Sequence, residues 1–268
     1  MTGSIGFVTG DPERDLDTGV PHIARMYNYW LGGTDNFAAD RSAADAAVAA
    51  HPGLLTDARA NRAFLGRAVR FLAAEAGLRQ FLDIGTGIPA AGNTHEVAQA
   101  VAPGCRVVYA DNDPMVLARA RGLPRDTTMY LNADLRDPER ILAGAAGLLD
   151  FTRPVAIMLV AVLHLISDEE NPYAIVGRLV GAAAPGSYLT ISHVPSDMQT
   201  AAMAALGARM NQLVAQPSTY RTRAEVARFF AGLELVPPGI VAVHEWRPDP
   251  GSAPPAPAAV WGAVGRKP

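Results

Sequence analysis

At 268 residues, with 49% hydrophobic and 18% charged side chains, the chain is long enough to bury a substantial core as one large domain, or one domain with a cap, and it is not disordered. A net charge of −3 gives no general attraction to phosphate backbones or anionic membranes. Cys105 is the one cysteine, which excludes an intrachain disulfide and a cysteine-based metal cluster; with no leader-like N-terminus and no apolar run longer than 155–163, the expectation is a soluble cytoplasmic protein without membrane or nucleic-acid partners.

Residues 1–20 are rich in Gly, Asp and Thr without periodicity and are expected to form a mobile terminus. The spacing then predicts a helix over 21–31, because Pro21 suits a first turn and Ile23, Tyr27 and Trp30 fall on one face. Gly32-Gly33 ends it. A turn at 34–36 leads to a second helix over 38–50, and a third over 56–76 carries Phe64, Leu65, Ala68 and Leu72 on its apolar side before Gly77 closes it. Residues 21–76 are thus expected as a helical cap on a domain spanning 77–268. Tyr27, Trp30 and Phe37 suit packing against the main sheet, or, together with Asn36, a lid that keeps water from a bound cofactor and substrate.

The rest of the chain is organised around 80–89. Phe81, Leu82 and Ile84 suit a buried parallel strand, and Gly85-Thr86-Gly87 makes a turn at its carboxyl end where backbone passes close to something bound. Asp83 stands two residues before the first glycine. That carboxylate would repel a pyrophosphate, whereas a zwitterion with a free ammonium and a sulfonium suits it, which favours S-adenosylmethionine over a dinucleotide. A purely structural turn stays open.

A helix over 93–102 follows; its His95-Glu96 lacks a second histidine at i+4, so no metal is expected. The strand 106–110 ends in Asp111-Asn112-Asp113-Pro114. Asp113 before Pro114 reads as a helix cap, leaving Asp111 to accept both hydroxyls of an adenosine ribose, with a second turn-forming Asp as the open alternative. A strand over 128–132 ends near Asp134-Leu135, placed to meet an adenine edge. The most apolar stretch, 154–163, reads as a central parallel strand running into His164.

A helix over 171–184 and a strand over 187–192 ending at His193 continue the alternation. The helix 197–215 carries a methionine-rich face read as core packing, and Thr222 with Glu225 forms a capping box for a helix through Phe230. Strands over 235–246, broken at Pro237-Pro238, and 259–264 flank a Pro-rich loop at 248–257. This order argues for an α/β doubly wound, Rossmann-like sheet with ligands at the carboxyl ends of its strands.

The residues 24–33 (Ala-Arg-Met-Tyr-Asn-Tyr-Trp-Leu-Gly-Gly), Asp35-Asn36-Phe37, 59–65 (Arg-Ala-Asn-Arg-Ala-Phe-Leu), the Asp83 loop, Asp111-Asn112-Asp113-Pro114, 133–138 (Ala-Asp-Leu-Arg-Asp-Pro) and Ala161-Val162-Leu163-His164 carry a resemblance. The chain resembles class I S-adenosylmethionine-dependent methyltransferases. More narrowly it looks like an actinobacterial family of candidate methyltransferases first catalogued as a domain of unknown function. The resemblance implies a seven-stranded sheet with an antiparallel last strand. It also implies Gly85, Thr86 and Gly87 around the methionine part of the cofactor, Asp111 with Asn112 at the ribose, Asp134 with Leu135 near the adenine, and Ala161 in the same cofactor site.

A nucleic-acid methylase of this kind commonly carries an Asn/Asp-Pro-Pro-aromatic segment after the fourth strand, where this chain has Leu163-His164-Leu165-Ile166, and Cys105 lies far from the site. A small-molecule acceptor methylated on oxygen or nitrogen by in-line displacement is what remains. His164 is the candidate general base. Plant-type O-methyltransferases show a similar His followed by Ser-Asp-Glu, and Ser167-Asp168-Glu169 stand here. A packing role for His164 stays open, and His193 is a second candidate at the substrate. Two other activities stay open: a cofactor-binding protein without methyl transfer, and a nicotinamide-dependent oxidoreductase.

Overall fold

The computed structural model describes residues 17–119, 126–214, 216–251 and 255–268, the side chains of 117–119 excepted. Most of the expected mobile terminus, Ala215 and part of the Pro-rich loop lie outside the described residues.

The core is one mixed sheet. Strands β1 (Gln80–Ile84), β2 (Arg106–Asp111), β3 (Thr128–Asn132), β4 (Ala156–Val160) and β5 (Tyr188–His193) are parallel, and β8 (Trp261–Arg266) runs antiparallel to β5. The order is β3-β2-β1-β4-β5-β8, followed at the edge by β6 (Glu234–Leu235). The sixth strand of the expected seven is split at the anticipated proline pair into β6 (Glu234–Leu235) and β7 (Val241–Ala242), both pairing with β8, so eight short strands result. The doubly wound α/β expectation is met. The order reverses beside β1, and in such sheets ligands sit outside the carboxyl ends at that switch.

The pleat separates two apolar layers. Leu82, Ile84, Val108, Ile157 and Leu159 pack with α6 (Pro138–Ala145), α7 (Pro172–Ala182) and α9 (Arg223–Arg228) on one face. Phe81, Val107, Tyr109 and Met158 pack with α3 (Leu54–Ala74) and α4 (Thr94–Val101) on the other. Helix α6 has no counterpart in the sequence reading, although Asp137 caps it through the N–H of Arg140 and Pro138 opens it. Lys267, the sole lysine, donates from Nζ to the carbonyls of Val180 and Ala183 at the carboxyl end of α7, where a cation is favoured.

Helices α1 (Ile23–Trp30) and α2 (Ala38–Ala50) pack with α8 (Thr200–Leu213) in a third cluster of Met26, Trp30, Ala43, Ala44, Ala47, Met203, Leu206 and Met210. The buried Arg25 guanidinium donates to Asp40 Oδ1 at 3.0 Å, and Asp40 also takes the N–H groups of His22 and Phe37, so the two cap helices are locked together. Helix α3, expected within the cap at 21–76, lies on the sheet because Phe64, Leu65, Ala68 and Leu72 match its apolar face. The methionine face of α8, read as core packing, is buried in the cluster it shares with α1 and α2.

Candidate active site

One cavity opens between the carboxyl ends of β1 to β4 and the cap. Its wall includes Asp83, Gly85, Thr86, Gly87, Asp111, Asn112, Asp134, Leu135, Ala161 and His164 from the sheet side, and Tyr27 and Trp30 from α1. Twelve separately inferred residues therefore meet in one place.

The turn after β1 explains its glycines. Gly85 has φ +71°, and a Cβ there would stand 2.3 Å from Val162 Cγ2; Gly87 has φ +66° with nothing within 4 Å of its Cβ position. Gly85 is needed for chain packing, while Gly87 leaves room on the cavity side for a ligand. Gly85→Ala combines a left-handed backbone with overpacking and is expected to cost about 3 kcal/mol. Gly87→Ala is expected to cost roughly 1–2 kcal/mol from backbone strain alone, yet to weaken cofactor binding more. Thermal unfolding and cofactor titration of the two variants check this.

Asp83 is buried in β1 and accepts a 2.6 Å hydrogen bond from Thr94 Oγ1. Burial pushes its carboxyl up to about 6, against the pull of Thr94 and of Arg62. Arg62 comes from α3 and donates to the carbonyls of Ala90 and Ala91 and to Asn93 Oδ1, holding the loop after β1. Asp111 accepts the N–H of Gly87 at 2.8 Å and of Asp113 at 2.9 Å, and burial raises its pKa against those bonds. Asp113 accepts the Met115 N–H as expected of a cap for α5 (Pro114–Arg119), and His22 Nδ1 of the cap segment lies 3.0 Å from its second oxygen.

At the end of β3, Asn112 Nδ2 donates to Asp134 Oδ2 at 2.8 Å and the Arg136 N–H donates to Asp134 Oδ1. Burial opposes ionisation of Asp134, but these donors and the Arg136 guanidinium outweigh it and hold its pKa below the usual range.

Ala161, after β4, has φ +54°, a strained value for a residue with a Cβ. Its N–H donates to Ser192 Oγ at 2.9 Å; Ser192 Oγ donates to Asn61 Oδ1 at 2.6 Å, and Asn61 Nδ2 donates to the Tyr27 hydroxyl at 2.9 Å. A continuous chain of hydrogen bonds thus joins the tip of β4 to the cap.

Beyond Ala161 the loop 163–166 is clamped. All four of its carbonyls accept hydrogen bonds from donors in 216–221: Leu163 from Arg221 Nη1, His164 from the Thr219 N–H, Leu165 from Gln216 Nε2 and Ile166 from Arg221 Nη2. Arg221 is 1% exposed and also bonds Asp168 and His193 Nε2. A guanidinium only donates, so Nε2 of His193 accepts and its Nδ1–H donates to the Val194 carbonyl at 2.8 Å. Both ring nitrogens are occupied, burial pushes the His193 pKa down to about 3, and the ring is absent from the cavity wall. His193 is therefore a buried strut, outside the cavity wall that His164 lines. Asn36 is also away from the cavity: its Nδ2 bonds Asn28 Oδ1 and the Gly33 carbonyl, fixing the turn between α1 and α2.

His164 does line the cavity, and its Nδ1 is buried without a hydrogen-bond partner. Burial, aided by the Arg221 charge, lowers its pKa to about 4. It is a neutral imidazole at any working pH near neutrality. Sequence reasoning missed Arg62, Gln216, Arg221 and the α8 residues Met203, Leu206 and Met210, since neither charge nor periodicity tells which surface a helix or loop will face.

The comparisons with known proteins accord with this geometry. A family described as S-adenosyl methyltransferase matches residues 9–268. A DUF574 family protein from Streptomyces avermitilis is 45% identical with a TM-score of 0.89, covering 94% of this chain and 99% of its own. A candidate methyltransferase from Thermobifida fusca is 43% identical with the same TM-score, covering 97% and 99%. No curated protein matches. The chain belongs to the S-adenosyl methyltransferase family.

Proposed function

We propose that the protein transfers the methyl group of S-adenosylmethionine to an oxygen or nitrogen of a small molecule held under the cap. The observation that carries this reading is that His164, with a buried unpaired nitrogen, shares one cavity with Gly85, Gly87, Asp111 and Asp134. When bound, S-adenosylmethionine supplies an electrophilic methyl on a sulfonium. The residues present fit it: open space beside Gly87, a carboxylate at Asp83 and a guanidinium at Arg62 match the opposite charges of an amino acid, and Asp111 has lone pairs left for ribose hydroxyls. Asp134 and Leu135 are assigned to the adenine, and Ala161 to the wall beside the reacting centre.

His164 orients the acceptor and takes its proton. An imidazole whose conjugate acid lies near 4 does not ionise a hydroxyl in advance; it receives the proton as the acceptor oxygen becomes cationic. Tyr27 and Trp30 close the site against water.

Replacing Asp111 with Ala removes a charge-assisted acceptor and is expected to weaken cofactor affinity by about 1.5–3 kcal/mol, more than tenfold in Kd. Asp113→Ala is expected to cost about 1 kcal/mol of stability as a lost cap, with smaller effect on affinity. Equal affinities for the two variants would overturn the ribose assignment. The activity itself is tested by release of S-adenosylhomocysteine in the presence of a metabolite extract. Release dependent on the extract is expected; tight cofactor binding without any release would favour a binding protein.

A further inference from the structure

We propose that the methyl acceptor is a neutral, largely apolar ring compound with one hydroxyl or amine, bound in the part of the cavity between α1 and α8; this rests on the methyl-transfer reading above. The cavity is chemically two-sided. Its charged groups Asp83, Asp111, Asp134 and Arg136 lie at or just beyond the ends of β1, β2 and β3, with Arg62 tied to the loop after β1 and His22 set against Asp113. The cap side is walled by Tyr27, Trp30, Met203, Leu206, Met210 and Tyr220. Met203, Leu206 and Met210 recur at i, i+3 and i+7, so one stripe of α8 faces this chamber and the cap core.

The polar atoms of Tyr27 and Trp30 are turned inward and satisfied. The Tyr27 hydroxyl donates to the Ala58 carbonyl and accepts from Asn61, and Trp30 Nε1 donates to the Ala44 carbonyl, which leaves their rings as the contact surface. Among the described residues Asp57 is the carboxylate of the cavity wall that belongs to none of these strand ends. It accepts the Ala259 N–H at 2.7 Å on Oδ1 and faces His51 Nε2 at 2.7 Å on Oδ2, so its charge already serves two partners. An anionic acceptor would lose its hydration here without gaining a counter-charge. Aromatic edges and methionine thioethers suit a ring face instead, and methionine adapts to its outline. Across the cavity, on the sheet side, His164 Nδ1 is among the described lining residues the buried side-chain atom without a partner, and the ring suits a single hydrogen-bonding group on the acceptor.

The test titrates two probes by calorimetry into protein saturated with S-adenosylhomocysteine: 2-naphthol, and 6-hydroxy-2-naphthoate, which adds one negative charge to the same rings. The first is expected to bind and the second to bind at least roughly tenfold more weakly. Ser218→Lys adds a cation at a half-buried position of the chamber wall and is expected to reverse that order while leaving S-adenosylhomocysteine affinity within about threefold. Equal or tighter binding of the carboxylate by the natural sequence, no binding of 2-naphthol, or an unchanged order in Ser218→Lys would each overturn the proposal. Failure of S-adenosylhomocysteine itself to bind would instead overturn the methyl-transfer reading.

Discussion

His164→Gln is expected to lower kcat by roughly 10²–10⁴ while leaving the cofactor Kd within about threefold. Glutamine fills similar space and keeps a hydrogen-bonding group, so the loop 163–166, whose four carbonyls are held by 216–221, stays in place. What is lost is a nitrogen able to take a proton. The pH dependence separates this from a packing defect. Because burial and Arg221 lower the pKa of His164 to about 4, the ring stays neutral above that value, and the acid limb of kcat/KM in the natural protein is expected near pH 4 rather than near 6.5. In the variant that limb disappears, and the deficit shrinks at high pH as the acceptor ionises unaided. Near-normal turnover of His164→Gln at neutral pH would show that proximity alone carries the reaction.

The second large effect is expected at Arg221. Its guanidinium bonds the Leu163 and Ile166 carbonyls, His193 Nε2 and Asp168, and lies 5.7 Å from the Phe229 ring centroid. Arg221→Met leaves two carbonyls and an imidazole nitrogen buried without donors. At roughly 1–3 kcal/mol per orphaned group, a loss of about 3 kcal/mol or more is expected, a large part of a typical domain's 5–15 kcal/mol. The Asp168 ion pair is not the reason, because that carboxylate side chain is 60% exposed. Asp168→Asn is therefore expected to cost less than about 1 kcal/mol. Urea unfolding of both variants checks the contrast; similar losses would mean that the ion pair, not the carbonyl clamp, fixes the loop.

Much of this architecture is legible in the chain itself. Gly85-Thr86-Gly87 after a run of buried residues marks the first strand and its turn, and Asp111 is separated from Asp113 by the Pro114 that turns the latter into a cap. The capping box at Thr222 and Glu225 forms as its spacing requires. Helix α6 is equally legible, since Asp137-Pro138 repeats the Asp113-Pro114 signature. Other features carry no local signal. The periodicity of Met203, Leu206 and Met210 shows that one face of α8 is apolar, not that it meets α1 and α2 across the cavity. Arg221 lies in no pattern at all, and only the fold makes its five hydrogen bonds possible. His193 ends a strand as His164 does, and the sequence treats them alike; the guanidinium at Nε2 is what separates a strut from a candidate base.

As proposed, one cavity under the cap binds the cofactor against Asp111 and presents its reacting end to His164. A crystal structure of the complex with S-adenosylhomocysteine tests this placement. The ribose hydroxyls are expected within hydrogen-bonding distance of the Asp111 carboxylate, the adenine beside Asp134 and Leu135, and the sulfur on the side of Ala161 and His164. A nucleoside bound elsewhere, with Asp111 still engaged solely by the N–H groups of Gly87 and Asp113, would contradict it.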